Sequence, residues 1–405
     1  MAISLLPPTK LLPIAGVKVS TQSAGIRYQE REDLVLLELS EGTSTAVMLT
    51  KNQFCAAPVE VTRSHLKLSK PKYLLINSGN ANAGRGKQGL ADAKSTCASV
   101  ADNANCKPSE VLPFSTGVIG EQLPVEKIES VLPALLGNLK RDGWLEAAHA
   151  IMTTDTVAKG FSEQLELDDN IISITGIAKG SGMIRPDMAT MLAYVATDLI
   201  IDDQVLNEMI HHAVEQSFHR ITVDSDTSTN DSCVLIATGE SNLQFDNLSE
   251  QAKESFINTL NSIFLKLAQA IVRDGEGATK YITVVVEGAK SFTVAREVAF
   301  AVAHSPLVKT AAFASDPNWG RILAAAGRAT EEPMNMKNIS LLINDLKVID
   351  RGEMSENYYE ENGQKEMQKE EIEYRLQLGA GGSTITIWTT DLSHEYIKIN
   401  AEYRT

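Results

Sequence analysis

The stretch from Ser255 to Val272 places Phe256, Ile257, Leu260, Phe264, Leu267, Ala268 and Ile271 at helical spacing. A stripe of this length constrains the fold strongly, because an amphipathic helix gains most of its stability by packing one face against a partner. A shorter stripe, Val205, Met209, Ile210, Ala213, Val214 and Phe218, follows Asp202-Asp203, a pair suited to capping a helix. The surfaces that could cover both stripes are β-type runs. Leu34–Leu39, Thr45–Thr50, Tyr73–Ile76, Ile171–Ile177, Met191–Val195 and Tyr281–Val286 are short and apolar. Helical patterns at Ala91–Val100, Pro124–Leu136 and Gly143–Met152 alternate with them. Strands mixed with long helices predict an α/β protein, α+β in layers, and no internal repeat is visible.

The apolar content of 43% over 405 residues is enough for a sizeable core. With 52 acidic against 37 basic residues the formal net charge is −15, which argues against a nucleic-acid surface and fits an enzyme of small substrates. No unbroken apolar span reaches the ~18 residues of a membrane helix. Met1–Pro8 lacks the basic flank of a secretory signal, so a cytoplasmic protein is expected. The four cysteines, Cys55, Cys97, Cys106 and Cys233, are scattered, which suggests reduced thiols, and no zinc spacing is present.

A softer boundary lies near residues 288–300. Beyond it, Arg351–Glu370 is rich in Glu, Asn and Gly and reads as an exposed hairpin or loop. Ile372–Leu378 and Ser383–Thr389 alternate as two antiparallel strands would around Gly379–Gly382. Those glycines lack the following helix of a nucleotide site.

The chemistry concentrates in Lys179-Gly180-Ser181-Gly182-Met183-Ile184-Arg185-Pro186-Asp187-Met188-Ala189-Thr190-Met191-Leu192. A threonine hydroxyl is a poor nucleophile until a base takes its proton. An N-terminal threonine carries such a base, its own α-amine, with a reference pKa near 8. Cleavage between Ala189 and Thr190 would therefore create nucleophile and base together. Thr116-Gly117 offers a hydroxyl and a backbone N–H to a developing oxyanion, at a turn where glycine permits close approach. Lys179 could bind a substrate carboxylate or tune nearby protonation. Glu276, in Asp274-Gly275-Glu276-Gly277, could accept an α-ammonium. Each has an ordinary alternative: a strand start, a glycine turn, a surface lysine and a helix-end turn. Arg220–Asp231 mixes carboxylates and hydroxyls without the spacing of a calcium loop. Asp316–Arg321 precedes a small-residue run and suits a loop before a helix.

These segments together resemble the glutamate N-acetyltransferase / ornithine acetyltransferase family of arginine biosynthesis. The likeness runs from about Gly16 to Thr405. It is carried by Asn77–Ala83, Ser115–Gly120, Met152–Thr156, Lys179–Leu192, Thr222–Asp231, Asp274–Gly277, Asp316–Arg328 and Ile399–Thr405. It implies the ornithine acetyltransferase fold, akin to N-terminal-nucleophile enzymes, self-cleaved into α and β chains. Residues 1–189 would form the α chain with the oxyanion hole. Residues 190–287 would complete the catalytic domain, and 288–405 would be a C-terminal domain whose tail closes the pocket.

By the same resemblance Thr190 is the nucleophile and acetyl carrier, and Thr116 and Gly117 form the oxyanion hole. Thr153 (with Thr154 beside it as the alternative), Lys179, Thr190, Glu276, Asn400 and Thr405 bind substrate. Acetyl passes from N2-acetyl-L-ornithine to L-glutamate with no metal or organic cofactor. Some members also take acetyl from acetyl-CoA, and no coenzyme A pocket is legible here. Mature members assemble as heterotetramers of two α and two β chains. Two departures stand out: Ala83-Gly84-Arg85-Gly86 where many relatives carry Ala-Cys-Thr-Gly, and His219 and Ser225 where they often carry Asn and Gly. The alternatives are an N-terminal-nucleophile amidohydrolase or aminopeptidase, and a non-catalytic amino-acid-binding relative.

Overall fold

The computed structural model describes residues 2–185, 191–379 and 381–402, with only the backbone at Met336. Ala189, Thr190 and Thr405 lie outside the described residues. The chain forms two compact units. The larger comprises Leu6–His219 and Asp226–Ile271; the smaller comprises Met1–Leu5, Arg220–Ser225 and Val272–Thr405.

The larger unit begins with β1 (Val17–Gln22), β2 (Leu34–Leu39), β3 (Ser44–Leu49), α1 (Ala57–His65), β4 (Tyr73–Asn80), α2 (Gly86–Ala104) and β5 (Val111–Val118). It continues through α3 (Val125–Gly137), α4 (Trp144–Ala150), β6 (Lys159–Leu167), β7 (Asn170–Lys179), β8 (Leu192–Thr197), α5 (Asp203–Gln216), β9 (Ser232–Ala237) and α6 (Glu250–Arg273). Its strands make a four-stranded sheet, β1-β2-β4-β5, and a five-stranded sheet, β3-β9-β8-β7-β6.

Strand alternation sorts the side chains of the first sheet into two cores. Val35, Leu37, Leu74, Ile76, Leu112 and Phe114 face the second sheet, where they meet Ile177, Leu192, Tyr194, Val234 and Ile236. Phe114 and Tyr194 pack edge to face at 5.5 Å. The opposite face, with Leu34, Leu36, Leu75 and Val111, is covered by Val61 of α1, Cys97 and Val100 of α2, and Leu132 of α3. On the outer side of the second sheet lie α5, against β3 and β9, and α6. A Cβ built on Gly176 of β7 would sit 3.0 Å from Leu267 and 3.2 Å from Ile263, so glycine lets α6 approach closely. The order is therefore helix, sheet, sheet, helix, as a layered α/β chain requires.

Both helical stripes are used, with small shifts. In α5, Leu206 is buried while Val205 and Met209 are half-buried; in α6, Ile263 joins the buried face and Ile257 sits at its margin. The Asp202 carboxylate caps α5 by accepting the Gln204 N–H. By length and composition α6 could cross a bilayer. Its apolar residues Phe256, Leu260, Ile263, Phe264 and Leu267 are instead fully buried in the protein, which makes it a core helix.

The smaller unit contains β10 (Tyr281–Ala289), α7 (Phe292–Ala303), α8 (Pro306–Phe313), α9 (Trp319–Gly327), β11 (Ser340–Ile343) and β12 (Leu346–Asp350). It ends with β13 (Glu353–Met354), α10 (Glu360–Met367), β14 (Glu371–Gln377), β15 (Ser383–Thr390) and α11 (His394–Ala401). The six-stranded sheet runs β13-β12-β11-β14-β10-β15, and α7, α8 and α9 bury Val298, Val308 and Ile322 against its strands. As expected, Asp316–Asn318 leads into a helix, with the Asn318 side chain capping α9.

Three expectations need revision here. The smaller unit starts at Val272, ahead of the boundary read near 288–300, because β10 pairs with β14 and β15. Those two strands do not pair with each other: β10 lies between them, parallel to β14 and antiparallel to β15. Arg351–Glu370 begins as the hairpin expected, with β13 paired to β12, but Glu360–Met367 is helical. Met367 and Tyr358 anchor that segment in the core, and a polar composition hides two anchors well.

Candidate active site

In the larger unit, Thr116 lies near the end of β5 and Lys179 ends β7. The Lys179 ammonium donates to Thr116 Oγ1 at 3.0 Å, with both residues buried. Gly117 follows, within the strand rather than in the turn expected. Its φ is +134°, and a Cβ there would sit 2.2 Å from the Gly79 carbonyl carbon and 2.5 Å from Asn80 N. Parallel strands β4 and β5 change register at Asn80, so glycine is needed for this backbone approach. The polar run Asn77–Asn82 serves the same junction. Ser115 Oγ donates to Asn77 Oδ1 at 2.5 Å, Asn77 Nδ2 to Asn80 O at 2.8 Å, and Asn82 N to Asn80 Oδ1 at 2.7 Å.

Thr153 joins this region through a residue that sequence reasoning passed over. Asp155 accepts the Thr153 N–H at 3.0 Å, the Gly180 N–H at 2.7 Å and the Lys159 ammonium at 2.7 Å. One carboxylate thus ties the Thr153 loop to the end of β7. Burial pushes its pKa up, but the charges of Lys159 and Lys179 and the hydrogen bonds from Lys159 and Thr153 outweigh that and hold the carboxyl well below its usual range. The stability contributed by ionised Asp155 is present above the ordinary carboxylate pKa, near 4, and lost only as pH falls through the depressed folded value. Asp155 and Lys159 side chains are both 0% exposed. Asp155→Asn, which takes the carboxylate away from the buried Lys159 ammonium, is expected to lower stability by about 3–5 kcal/mol, read by urea unfolding. The sequence signal was slight: a carboxylate four residues before a lysine.

Asp231 is the second residue missed. In sequence it lies in a polar run without calcium-loop spacing that also carries part of the family likeness; in the structure Asp231 Oδ1 accepts the Met191 N–H at 3.0 Å. Burial pushes its carboxyl well above the usual range, against the Met191 hydrogen bond and the Lys179 charge, which act downward.

In the smaller unit, Glu276 and Asn400 meet. Asn400 Nδ2 donates to Glu276 Oε2 at 2.8 Å and to Tyr396 O at 3.0 Å. Gly277, at φ +65°, would place a Cβ 2.4 Å from Tyr396 N, so the Glu276 loop abuts α11 directly. Ser393 caps α11 and donates to Gly277 O at 2.6 Å. The chain end is therefore built onto the Glu276 loop. Of the two departures, Gly86 opens α2. Ser225 adopts φ +71°, a left-handed backbone conformation that glycine would take without strain.

The sequence matches the ArgJ family over residues 18–405. It is 50% identical, across 100% of both chains, to the arginine biosynthesis bifunctional protein ArgJ of Pseudomonas fluorescens. The protein of that name from Psychrobacter arcticus is 49% identical over 98% of both chains. Among solved structures, ArgJ of Bacillus halodurans aligns with a TM-score of 0.48 at 34% identity, over 52% of this chain and 98% of that one. Ornithine acetyltransferase of Mycobacterium tuberculosis, complexed with ornithine, aligns with a TM-score of 0.38 at 33% identity, over 43% of this chain and 92% of that one. The match along almost the whole chain, and the full-length identity to curated relatives, establish that this protein belongs to the ArgJ family, the glutamate N-acetyltransferase / ornithine acetyltransferase family of arginine biosynthesis.

Proposed function

We propose that the enzyme cleaves itself between Ala189 and Thr190 and then carries acetyl from N2-acetyl-L-ornithine to L-glutamate as an ester of Thr190. The observation that carries this reading is the Lys179–Thr116 hydrogen bond beside Gly117. A hydroxyl whose oxygen accepts from an ammonium is polarised, and its own hydrogen becomes a better donor to a developing oxyanion. Thr116 Oγ1–H and Gly117 N–H would hold the tetrahedral oxygen in self-cleavage and in both acetyl transfers.

In the first transfer the Thr190 hydroxyl attacks the acetyl carbonyl, its proton passes to the Thr190 α-amine, and that proton leaves with the ornithine amine. In the second, the glutamate amine attacks the ester and Thr190 is regenerated. The reaction needs no metal or organic cofactor. Thr153, Lys179, Glu276, Asn400 and Thr405 are assigned to the amino-acid substrates, with Glu276 suited to an α-ammonium.

Sheet pairing supports the two-chain reading. β7 precedes the proposed cut and β8 follows it, and they pair from Ile174↔Thr197 to Lys179↔Leu192. The severed chains, 1–189 and 190–405, would stay joined by a buried ladder, and two such pairs would make the heterotetramer. Product analysis tests the function. With acetylornithine and glutamate together, N-acetylglutamate and ornithine are expected in equal amounts, with little free acetate. Acetate released at the same rate with and without glutamate would instead identify an amidohydrolase. Binding of both amino acids without turnover would identify a non-catalytic relative. Replacing acetylornithine by acetyl-CoA in the same assay reads the second donor.

A further inference from the structure

We infer that the dipeptide Asn230-Asp231 is the positioning element that sets the nucleophile arm against the oxyanion arm, an inference that rests on the function proposed above. The two side chains hold different segments. Asp231 Oδ1 accepts the Met191 N–H at 3.0 Å, one peptide bond beyond Thr190. The Met191 carbonyl is held as well, by the Ser232 N–H at 3.1 Å. Both backbone groups of Met191 are therefore fixed by residues 231 and 232 before β8 begins.

Asn230 does the same for the other arm. Its Nδ2 donates to Ser115 O at 2.9 Å and to Ala81 O at 2.7 Å. Ser115 O belongs to the peptide whose nitrogen is that of Thr116, so this bond fixes the peptide plane entering the oxyanion pair. Both amide hydrogens of Asn230 are committed. Its orientation is fixed in turn: Thr229 Oγ1 donates to Asn230 Oδ1 at 2.5 Å, and Asn230 N–H donates to Ser228 Oγ at 3.0 Å. The Asp231 carbonyl accepts the Thr50 N–H at 2.9 Å, which anchors the dipeptide behind β3. Asn230 is 6% exposed and Asp231 1%.

Adjacent residues on one rigid backbone thus hold both arms. Displacement of reacting groups by about 1 Å can cost about 10²-fold in rate, so such a ruler matters to chemistry more than to binding. The clamp needs an acceptor at 231, which an amide supplies as well as a carboxyl.

The test uses the full-length chain with Asn230→Ala, Asp231→Ala and Asp231→Asn beside the wild type. Thermal midpoint, precursor cleavage by mass, and kcat and KM for N2-acetyl-L-ornithine are read for each. Asn230→Ala is expected to fold and to lose about 10²-fold in kcat, with KM changed less than about threefold. Asp231→Ala is expected to accumulate uncut chain, and Asp231→Asn to rescue most of both cleavage and kcat. Folded Asn230→Ala with wild-type kcat would overturn the inference. So would Asp231→Asn as impaired as Asp231→Ala, since a lost proton rather than a lost acceptor would then be at fault. If either alanine variant fails to fold, the isosteric Asp231→Asn remains decisive: rescue upholds the clamp and loss overturns it. A wild type that cleaves but transfers no acetyl would contradict the proposed function instead, and cleavage yield would still read the clamp.

Discussion

Thr190→Ala is expected to give one uncut chain and to lower acetyl transfer by at least ~10⁴-fold. Alanine removes the hydroxyl that attacks Ala189 and the hydroxyl that carries acetyl, and without cleavage the α-amine base never forms. One substitution therefore disables maturation and turnover by separate routes. The fold should survive, because the β7–β8 ladder, the Met191–Asp231 bond and the described intersheet core are built from other residues. Intact mass, circular dichroism and the glutamate-dependent assay read the three consequences. A cut Thr190→Ala chain would move the scissile bond elsewhere.

The second large effect is expected at Gly117. Gly117→Ala would put a methyl group 2.2 Å from a backbone carbon of Gly79, in a conformation with φ +134°. The obstruction is backbone, so no side-chain rotation relieves it, and β4 and β5 must separate. A loss of about 3 kcal/mol or more in urea unfolding is expected. The strands that must part are those carrying Asn77–Asn80 and Thr116, so cleavage should fall with stability. A stable, fully cleaved and active Gly117→Ala protein would contradict both the strand geometry and the oxyanion assignment.

Much of the layered fold was legible in the sequence. Leu34–Leu37 is branched and apolar throughout because both faces of its sheet are covered, and the stripe from Phe256 to Ile271 is the buried face of α6. The order of strands was not legible. Alternation in Ile372–Leu378 and Ser383–Thr389 reports that one face is buried, but it says nothing about the strand that lies between them. The helix at Glu360–Met367 escaped because Glu, Asn and Gly dominate it and only Met367 and Tyr358 tie the segment to the core.

The site divides in the same way. Residue chemistry and family likeness single out Thr116 and Lys179, but nothing local announces that residues 63 apart in sequence share a hydrogen bond. Asp155 and Asp231 act through backbone N–H groups of Gly180 and Met191. Partners of that kind leave no residue-type signature, so a lone carboxylate in a loop reads as solvated until the chain is folded.

The most direct test of acetyl transfer through Thr190 is the mass of the chain that begins at Thr190, quenched after exposure to N2-acetyl-L-ornithine without glutamate. The account predicts one acetyl group on that chain, located at Thr190, with an equal amount of ornithine released, and loss of the acetyl when L-glutamate is added. Steady turnover with that chain unmodified at every quench time, or with acetyl on another residue, would contradict it.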